Sequence, residues 1–384
     1  MTAGALPPVV LTGATGFVGR RVLHELSRLG AASVHAVARN PVALPATEAW
    51  RPEWRATACD LSREPLPAGV ITPGCVVLHL AAATGKATPR EMRAVNVDGT
   101  RRVLDAAKAG GAAHVVFVSS IAASFGDQRW YHYAHAKRDA EGLVAASGLP
   151  CSIVRPTMIF GSGSPIQAAL GGLAAGAAPI VLGSGRVRVQ PIHVDDLAAF
   201  LVALAGDAPA GASPMEVGGG ECVTMRDLLA RLRSARGLPP RTPRSIPLGV
   251  VRSLLGAVER VVGTALPVTA GQLASFVNDS SAEPHPVVSR LLPSPRALAA
   301  MLPASPDGAP GGPVAAAPAL APAAGADALA NEFAAFARHL GAPVVDARLT
   351  AAYVRAHQSL PAHADDRFDA WLYTWGRRGR WACT

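Results

Sequence analysis

Lysine is almost missing from this chain: Lys86, Lys108 and Lys137 stand against thirty-three Arg in 384 residues. Tyrosine is nearly as scarce, with four, and aromatic residues make up only 5% of the whole. The five cysteines (Cys59, Cys75, Cys151, Cys222 and Cys383) are scattered, with no CxxC pair and no even framework. That excludes a disulfide scaffold, argues against a structural zinc and fits a reducing, cytoplasmic setting. No convincing apolar run of lipid-spanning length occurs. The best candidate, 168–183, is short and dominated by Ala and Gly, so a packed helix and turn is expected there and no integral membrane segment. The first residues enter a strand with no charged n-region or cleavage-type signal, and no targeting leader is expected. Net charge is +9, but the basic residues are dispersed and not interleaved with aromatics, the longest cluster being GRRGRW near the C-terminus. The Arg:Lys imbalance, with abundant Ala, Gly and Pro, reads as compositional bias, and nucleic-acid binding is not expected.

What is present is an alternation. Apolar runs at 8–13, 33–39, 54–60, 75–82, 114–120 and 151–160 read as strands, and segments near 17–29, 89–109 and 131–147 read as helices. Strands buried on both faces and separated by crossover helices predict an α/β fold with a Rossmann-type, doubly wound parallel sheet. PMEVGG (214–219) offers one more strand. From 162 the pattern loosens, and 162–190 with 221–300 predict a smaller substrate subdomain over the strand C-termini. Residues 301–325 are an Ala/Pro/Gly tract that reads as a linker. Beyond it, 326–384 reads as a helical extension with Phe368, Trp371 and Trp375 on one face, which suits a buried contact with another part or another chain. The domain reading is therefore a unit over 1–300, a linker, and an extension of unassigned role.

Two constellations carry chemistry. The first strand runs into TGATGFVGRR, so Gly13, Gly16 and Gly19 lie at a strand-to-helix turn. Such a turn lets a pyrophosphate approach backbone N–H groups at a helix N-terminus, where the dipole favours an anion. About twenty residues on, at the end of the second strand, Arg39 stands where an NAD-preferring site usually carries an acid. An arginine there can pair with a 2′-phosphate, which favours NADP, with NAD the alternative. Asp60, ending the third strand, is placed to contact adenine or simply to cap its loop. The second constellation is Tyr133 and Lys137, at i,i+4 on a predicted helix and so on one face. A nearby ammonium favours a phenolate and brings the phenol toward proton-transfer chemistry.

TGATGFVG, CDL, LHLAA, NVDGT, FVSS, Tyr133-x-x-x-Lys137 and RPTMIFG follow one another as in the extended and atypical short-chain dehydrogenase/reductase superfamily, the NAD-dependent epimerase/dehydratase-like branch, which the chain resembles over about 7–300. The resemblance implies that Tyr133 is the acid/base. Lys137 would lower its pKa and hold the nicotinamide ribose, Ser120 would polarise the substrate oxygen, and Asn96 would support the proton relay and its helix. VSSIAASFG is one residue longer than the usual spacing, so Ser119 and Ser124 compete with Ser120. The implied cofactor contacts are Gly13, Thr15, Gly16, Phe17, Val18, Gly19, Arg39, Asp60, Leu61, Leu80, Ala81, Ala82, Lys137 and Pro156. His79 is read as packing. PIHVDDLA (191–198) matches no standard metal site, and Asp195 or Asp196 is expected to cap a helix there.

The expected activity is that of an NAD(P)-dependent oxidoreductase or epimerase at a carbinol/ketone carbon. The region after the sixth strand is small and largely apolar, which favours an apolar carbonyl compound over a nucleotide sugar, although Arg186 and Arg188 remain available there. The alternative is a non-catalytic NAD(P)-binding scaffold or assembly subunit resembling respiratory complex I accessory subunits. Its extension would form the docking arm, and that same extension is the candidate surface for a homodimer or a protein partner.

Overall fold

The computed structural model describes residues 6–302 apart from 43, 45–46, 86, 129–130, 177–178, 208–210, 212 and 247–270. Nearly all of the expected linker, the whole expected extension 326–384 and a stretch of the expected subdomain lie outside the described residues. All described residues fall in the first of the chain's two units, Met1–Gly308.

Seven parallel strands form the central sheet: β1 (Val9–Thr12), β2 (Val34–Ala38), β3 (Arg55–Ala58), β4 (Val76–His79), β5 (His114–Val118), β6 (Cys151–Pro156) and, fifth in chain order after it, β11 (Pro214–Val217). Their spatial order is β11-β6-β5-β4-β1-β2-β3, so the strand order reverses beside β1, where doubly wound folds bind ligands. The side chains alternate as a pleated strand requires. Leu11, Leu78 and Val116 pack into the core on one face, and Val10, Val77, Val115 and Phe117 into the core on the other. The first face is covered by α1 (Phe17–Arg28) and α6 (Val194–Gly206). The second is covered by α3 (Gly99–Gly110) and α4 (His132–Ala145). Two buried faces account for the near-continuous apolar runs seen in the sequence.

Two expected elements are broken in instructive places. The helix expected over 89–109 is α2 (Pro89–Arg93), a π-helical turn Ala94–Asp98 and then α3. The strand expected over 151–160 is β6 followed by β7 (Ile159–Phe160), because Thr157 N–H donates to Val217 and the chain then leaves the sheet to pair with β10 (Ile192–His193). From β7 a smaller core gathers Phe160, Leu170, Val181, Met225, Leu228, Leu229 and Phe276. It is built by α5 (Pro165–Ala175), α7 (Met225–Ser234) and two strand pairs, β8 (Ile180–Leu182) with β13 (Arg244–Ile246) and β9 (Arg188–Val189) with β12 (Val223–Thr224). Asp195 and Asp196 are not the cap of α6. His193 is, its Nδ1 accepting from Asp195 N–H at 3.2 Å. The two carboxylates sit in the first turn, where the dipole favours them, and meet Arg21 and Arg296.

Candidate active site

The glycines of the first turn divide by what surrounds them. Gly13 has φ of 73°, and a Cβ on it would stand 2.7 Å from Ala81 N. A Cβ on Gly19 would stand 2.2 Å from Gly13 O. Both are demanded by packing of the turn against β4 and α1. Gly16 is exposed, with only Gly13 O near, at 3.1 Å. It begins α1, whose first turn has neither a side-chain cap nor an acidic residue. The first N–H groups of that helix therefore lack an internal partner and face outward with the positive end of the dipole. The turn fits a dinucleotide's pyrophosphate. Thr15, Phe17 and Val18 flank it, and Leu80, Ala81 and Ala82 continue β4 alongside.

At the other end of this stretch, Arg39 is exposed just past β2. Its charge acts on Asp60, helping to lower that carboxyl after the larger effect of the Ser62 hydroxyl bond. Asp60 Oδ1 accepts from both Ser62 N–H at 3.0 Å and Ser62 Oγ at 2.7 Å, so the carboxylate is engaged in its own turn. Leu61 beside it is buried.

Tyr133 and Ser120 are brought together: the Ser120 hydroxyl is close enough to the phenol to favour its ionised form. Ser120 Oγ also accepts from Ala122 N–H at 3.2 Å, starting the 3₁₀ turn Ile121–Ser124. Ser124 is exposed and donates to Ile121 O at 2.8 Å, while Ser119 is buried with its hydroxyl unpartnered. The loop is locked by Gln128, which donates to the Ala122 and Ala123 carbonyls, and by Arg138, which donates to Ala123 and Phe125. Tyr133 packs against two apolar clusters, one of Ile121, Ala122, Phe125, Ala134 and Ala274 and the other of Met92, Val97 and Ala136. Burial in this apolar setting pushes the phenol above its ordinary range, Tyr131 adds to the rise, and the Ser120 hydroxyl opposes it.

Lys137 shares the helix face but its ammonium turns to the sheet. Nζ donates to Val118 O at 2.8 Å and lies 4.8 Å from the centroid of the Phe117 ring. The residue is 2% exposed, and burial pulls the ammonium down to about 8. The lysine is not among the groups shifting the Tyr133 phenol. Pro156, ending β6, is buried nearby in the sheet order.

Asn96 lies in the π-helical turn, 1% exposed. Its amide clamps Ala83, accepting from N–H at 2.8 Å and donating to O at 2.9 Å. Sequence reasoning missed the network behind it. Thr100 Oγ donates to Asn96 O at 2.7 Å, and His79 Nε2 is 3.0 Å from the same Thr100 oxygen. Thr100's hydrogen is thus used, so His79 must donate from Nε2 and accept at Nδ1 from the Thr12 hydroxyl, 2.7 Å away. Thr12 Oγ in turn accepts from Ala81 N–H at 3.3 Å. His79 ties the end of β1, the cofactor-side backbone of β4 and the π-helical turn into one satisfied network. Its buried ring is pulled down to about 3 and stays neutral. Only the juxtaposition of Thr12, His79 and Thr100 at strand and helix ends signalled it.

A cleft of about 590 Å³ opens by Gly161, Ser162, Gln167 and His193, walled by Leu232 and Met301. Among the described residues no helix is long and apolar enough to cross a membrane, and no group of His, Cys, Asp and Glu could hold a metal ion.

The sequence model of the NAD dependent epimerase/dehydratase family matches residues 9–218. A ceramide reductase of Caulobacter vibrioides is 35% identical over 212 residues, which cover 53% of this chain and 62% of that protein. A chloroplastic divinyl chlorophyllide a 8-vinyl-reductase of Oryza sativa is 31% identical over 257 residues, 61% of this chain and 60% of that one. The chain therefore spans less than two thirds of the length of either. Among solved structures, a nucleoside-diphosphate-sugar epimerase from Staphylococcus aureus superposes with a TM-score of 0.58 at 19% identity, covering 76% of this chain and 98% of that one. At that identity the likeness is one of fold.

Proposed function

The chain belongs to the NAD dependent epimerase/dehydratase family, and we propose that within it this protein reduces a ketone on an apolar, lipid-like substrate with NADPH. The observation that carries the proposal is the Tyr133 phenol, close to the Ser120 hydroxyl just past β5 and packed against apolar side chains. The bound nicotinamide would supply the hydride. Ser120 would hold the substrate oxygen and Tyr133 would give it the proton. A phenol raised above its ordinary range stays protonated at neutral pH, which suits proton donation and hence the reductive direction. Lys137 uses one of its three donors on Val118 O, leaving two for ribose hydroxyls.

Two features favour an apolar ketone over a nucleotide sugar. The surroundings of Tyr133 are apolar, and the cleft walled by Leu232 and Met301 has room for a hydrocarbon chain. Arg186 and Arg188 are exposed on the smaller body, and Arg236, which lines the cleft, is engaged by Gly171 O. The relative named a ceramide reductase adds support for the same class. NADP is favoured by Arg39, exposed at the end of β2 without an acidic neighbour closer in sequence than Glu48. The approach of Tyr133 to Ser120 also weighs against a non-catalytic scaffold.

The test is NADPH oxidation against a panel of long-chain ketones and, in parallel, UDP-sugars. Ketone turnover is expected, and Tyr133→Phe should abolish it while NADPH fluorescence still reports binding. Undiminished turnover by Tyr133→Phe sinks the mechanism, and turnover of UDP-sugars alone sinks the substrate class.

A further inference from the structure

We propose that Glu141, clamped by Arg155, is a positioning residue for Lys137 that keeps its ammonium charged inside the sheet–helix interface. The inference rests on the catalytic reading of Tyr133 and Lys137. Helix α4 places Tyr133, Lys137 and Glu141 at successive i,i+4 positions, which form one stripe. Lys137 and Glu141 are both buried along it. Arg155 reaches over from β6 as a fork, Nε donating to Glu141 Oε1 at 2.9 Å and Nη2 to Oε2 at 2.6 Å. Its Nη1 lies 3.7 Å from Glu216 Oε1 on β11, and Glu216 Oε2 accepts from Glu283 N–H at 3.1 Å. The ordered result is a row of alternating charge, Lys137, Glu141, Arg155 and Glu216, from the helix to the sheet edge.

The bidentate fork matters because it fixes the carboxylate. A free glutamate could swing away, whereas this one is fixed one turn along α4 from Lys137. Apart from the Val118 carbonyl and the Phe117 ring, Lys137 has little else to oppose the loss of its proton. Desolvation drives it down, and the Glu141 carboxylate is the charge that pushes it back up.

The remaining ionisable groups on elements packed against α4 do not substitute for it. On β4, His79 is neutral, and Tyr133 one turn earlier is a protonated phenol. Arg93 of α2 pairs with Asp139 on the exposed side of α4, at 3.7 Å. Arg90 and Glu91 of α2, Arg101, Asp105 and Lys108 of α3, and His132 and His135 of α4 are exposed, and Asp98 of the π-helical turn is partly exposed. Arg102 donates to Leu61 O, the Cys151 thiol of β6 to Val144 O, and Arg138 to carbonyls of the 3₁₀ loop. An amine that discharged at neutral pH would no longer present a cation to the ribose hydroxyls it is proposed to hold.

The near-absence of lysine makes the test direct. Full-length protein labelled with [¹³Cε]lysine gives three side-chain signals, and Lys137→Arg identifies the one that disappears. The Lys137 signal is expected to titrate near pH 8, and Glu141→Gln should lower that midpoint by about one unit. If Glu141→Gln strands Arg155 and does not fold, Glu141→Gln/Arg155→Gln removes the ion pair as a unit, and the same fall is expected. An unchanged midpoint in whichever variant keeps the wild-type circular dichroism overturns the proposal. The readout is the amine itself, so it holds apart from turnover. Shifts without ketone reduction would refute the catalytic reading and leave the charge relation standing. In active enzyme the alkaline limb of kcat/KM should move with the signal, and rescue by Glu141→Asp separates charge from mere packing.

Discussion

Replacing His79 by leucine isolates one network. The ring is 1% exposed and makes two buried bonds, accepting from Thr12 Oγ at 2.7 Å and donating to Thr100 Oγ at 3.0 Å. Leucine fills similar space but offers neither group. Thr100 keeps its bond to Asn96 O, whereas the Thr12 hydroxyl hydrogen is left buried without an acceptor. An orphaned buried donor costs about 1–3 kcal/mol and the lost bonds about 1 kcal/mol more, so His79→Leu should destabilise by about 2–4 kcal/mol in urea unfolding. Adding Thr12→Val removes the orphan, so the double variant should fall short of the sum of the singles by about 1–2 kcal/mol. The pH dependence gives an independent check. The folded ring is depressed from 6.5 to about 3, so the unfolded chain takes up the proton first as pH falls. His79's contribution is complete above pH 6.5 and lost progressively toward pH 3, with a slope approaching about 1.4 kcal/mol per unit. His35, His114 and His193 are lowered too, so the diagnostic quantity is the difference in slope between wild type and His79→Leu. Strict additivity of Thr12→Val with His79→Leu, and equal acid slopes, would refute the network as drawn.

The glycine turn makes opposite demands at two positions. Gly19→Ala drives a Cβ to 2.2 Å from Gly13 O and should lower the thermal midpoint sharply, by the several degrees that about 2–3 kcal/mol of overpacking implies. Gly16→Ala should leave the midpoint near wild type and instead weaken NADPH binding measured by fluorescence, because its side chain enters the space in front of the helix N-terminus. At the adenosine end, Arg39→Ala should raise the Kd for NADPH about tenfold or more, the value of a charge-assisted phosphate contact, with little change for NADH. Equal losses for the two cofactors would remove Arg39 from 2′-phosphate recognition.

Much of the fold was legible because parallel strands buried on both faces leave continuous apolar runs. PVVLTG and CVVLHLAA could not have been solvent-facing, and their alternating residues divide between two cores. The glycine turn was legible for a related reason, since only glycine satisfies the positive φ at Gly13 and the contact at Gly19. Local pattern fails where a neighbour decides. The run CSIVRPTMIF stays apolar, yet the backbone of β11 captures Thr157 and sends Ile159 to a different partner. Nothing in PREMRAVNVDGT marks a π-helical turn, nor that its Asn96 clamps Ala83, thirteen residues away. The cap of α6 fell to His193 for a similar reason: Arg21 and Arg296 from distant elements engage the two aspartates. The i,i+4 rule correctly put Tyr133 and Lys137 on one face, but the direction of the ammonium depended on Val118 O from β5.

The three serines show how geometry narrows a choice that spacing left open. An extra residue before Gly126 could have moved the whole strand end by one position, exchanging Ser120 for Ser119. The residues after β5 instead turn into the 3₁₀ segment Ile121–Ser124, so the added length is absorbed beyond Ser120. Ser119 remains part of the buried strand end, its N–H donating to Val154 O at 2.7 Å. Ser124 is carried to the outer side and is held by Ile121 O. Ser120 alone is left at the edge of the phenol, with Ala122 N–H fixing its oxygen and Tyr133 on its other side. A hydroxyl held by a backbone donor beside the phenol is poised to orient a substrate oxygen, and that placement favours reading Ser120 as Tyr133's partner in the proposed reduction.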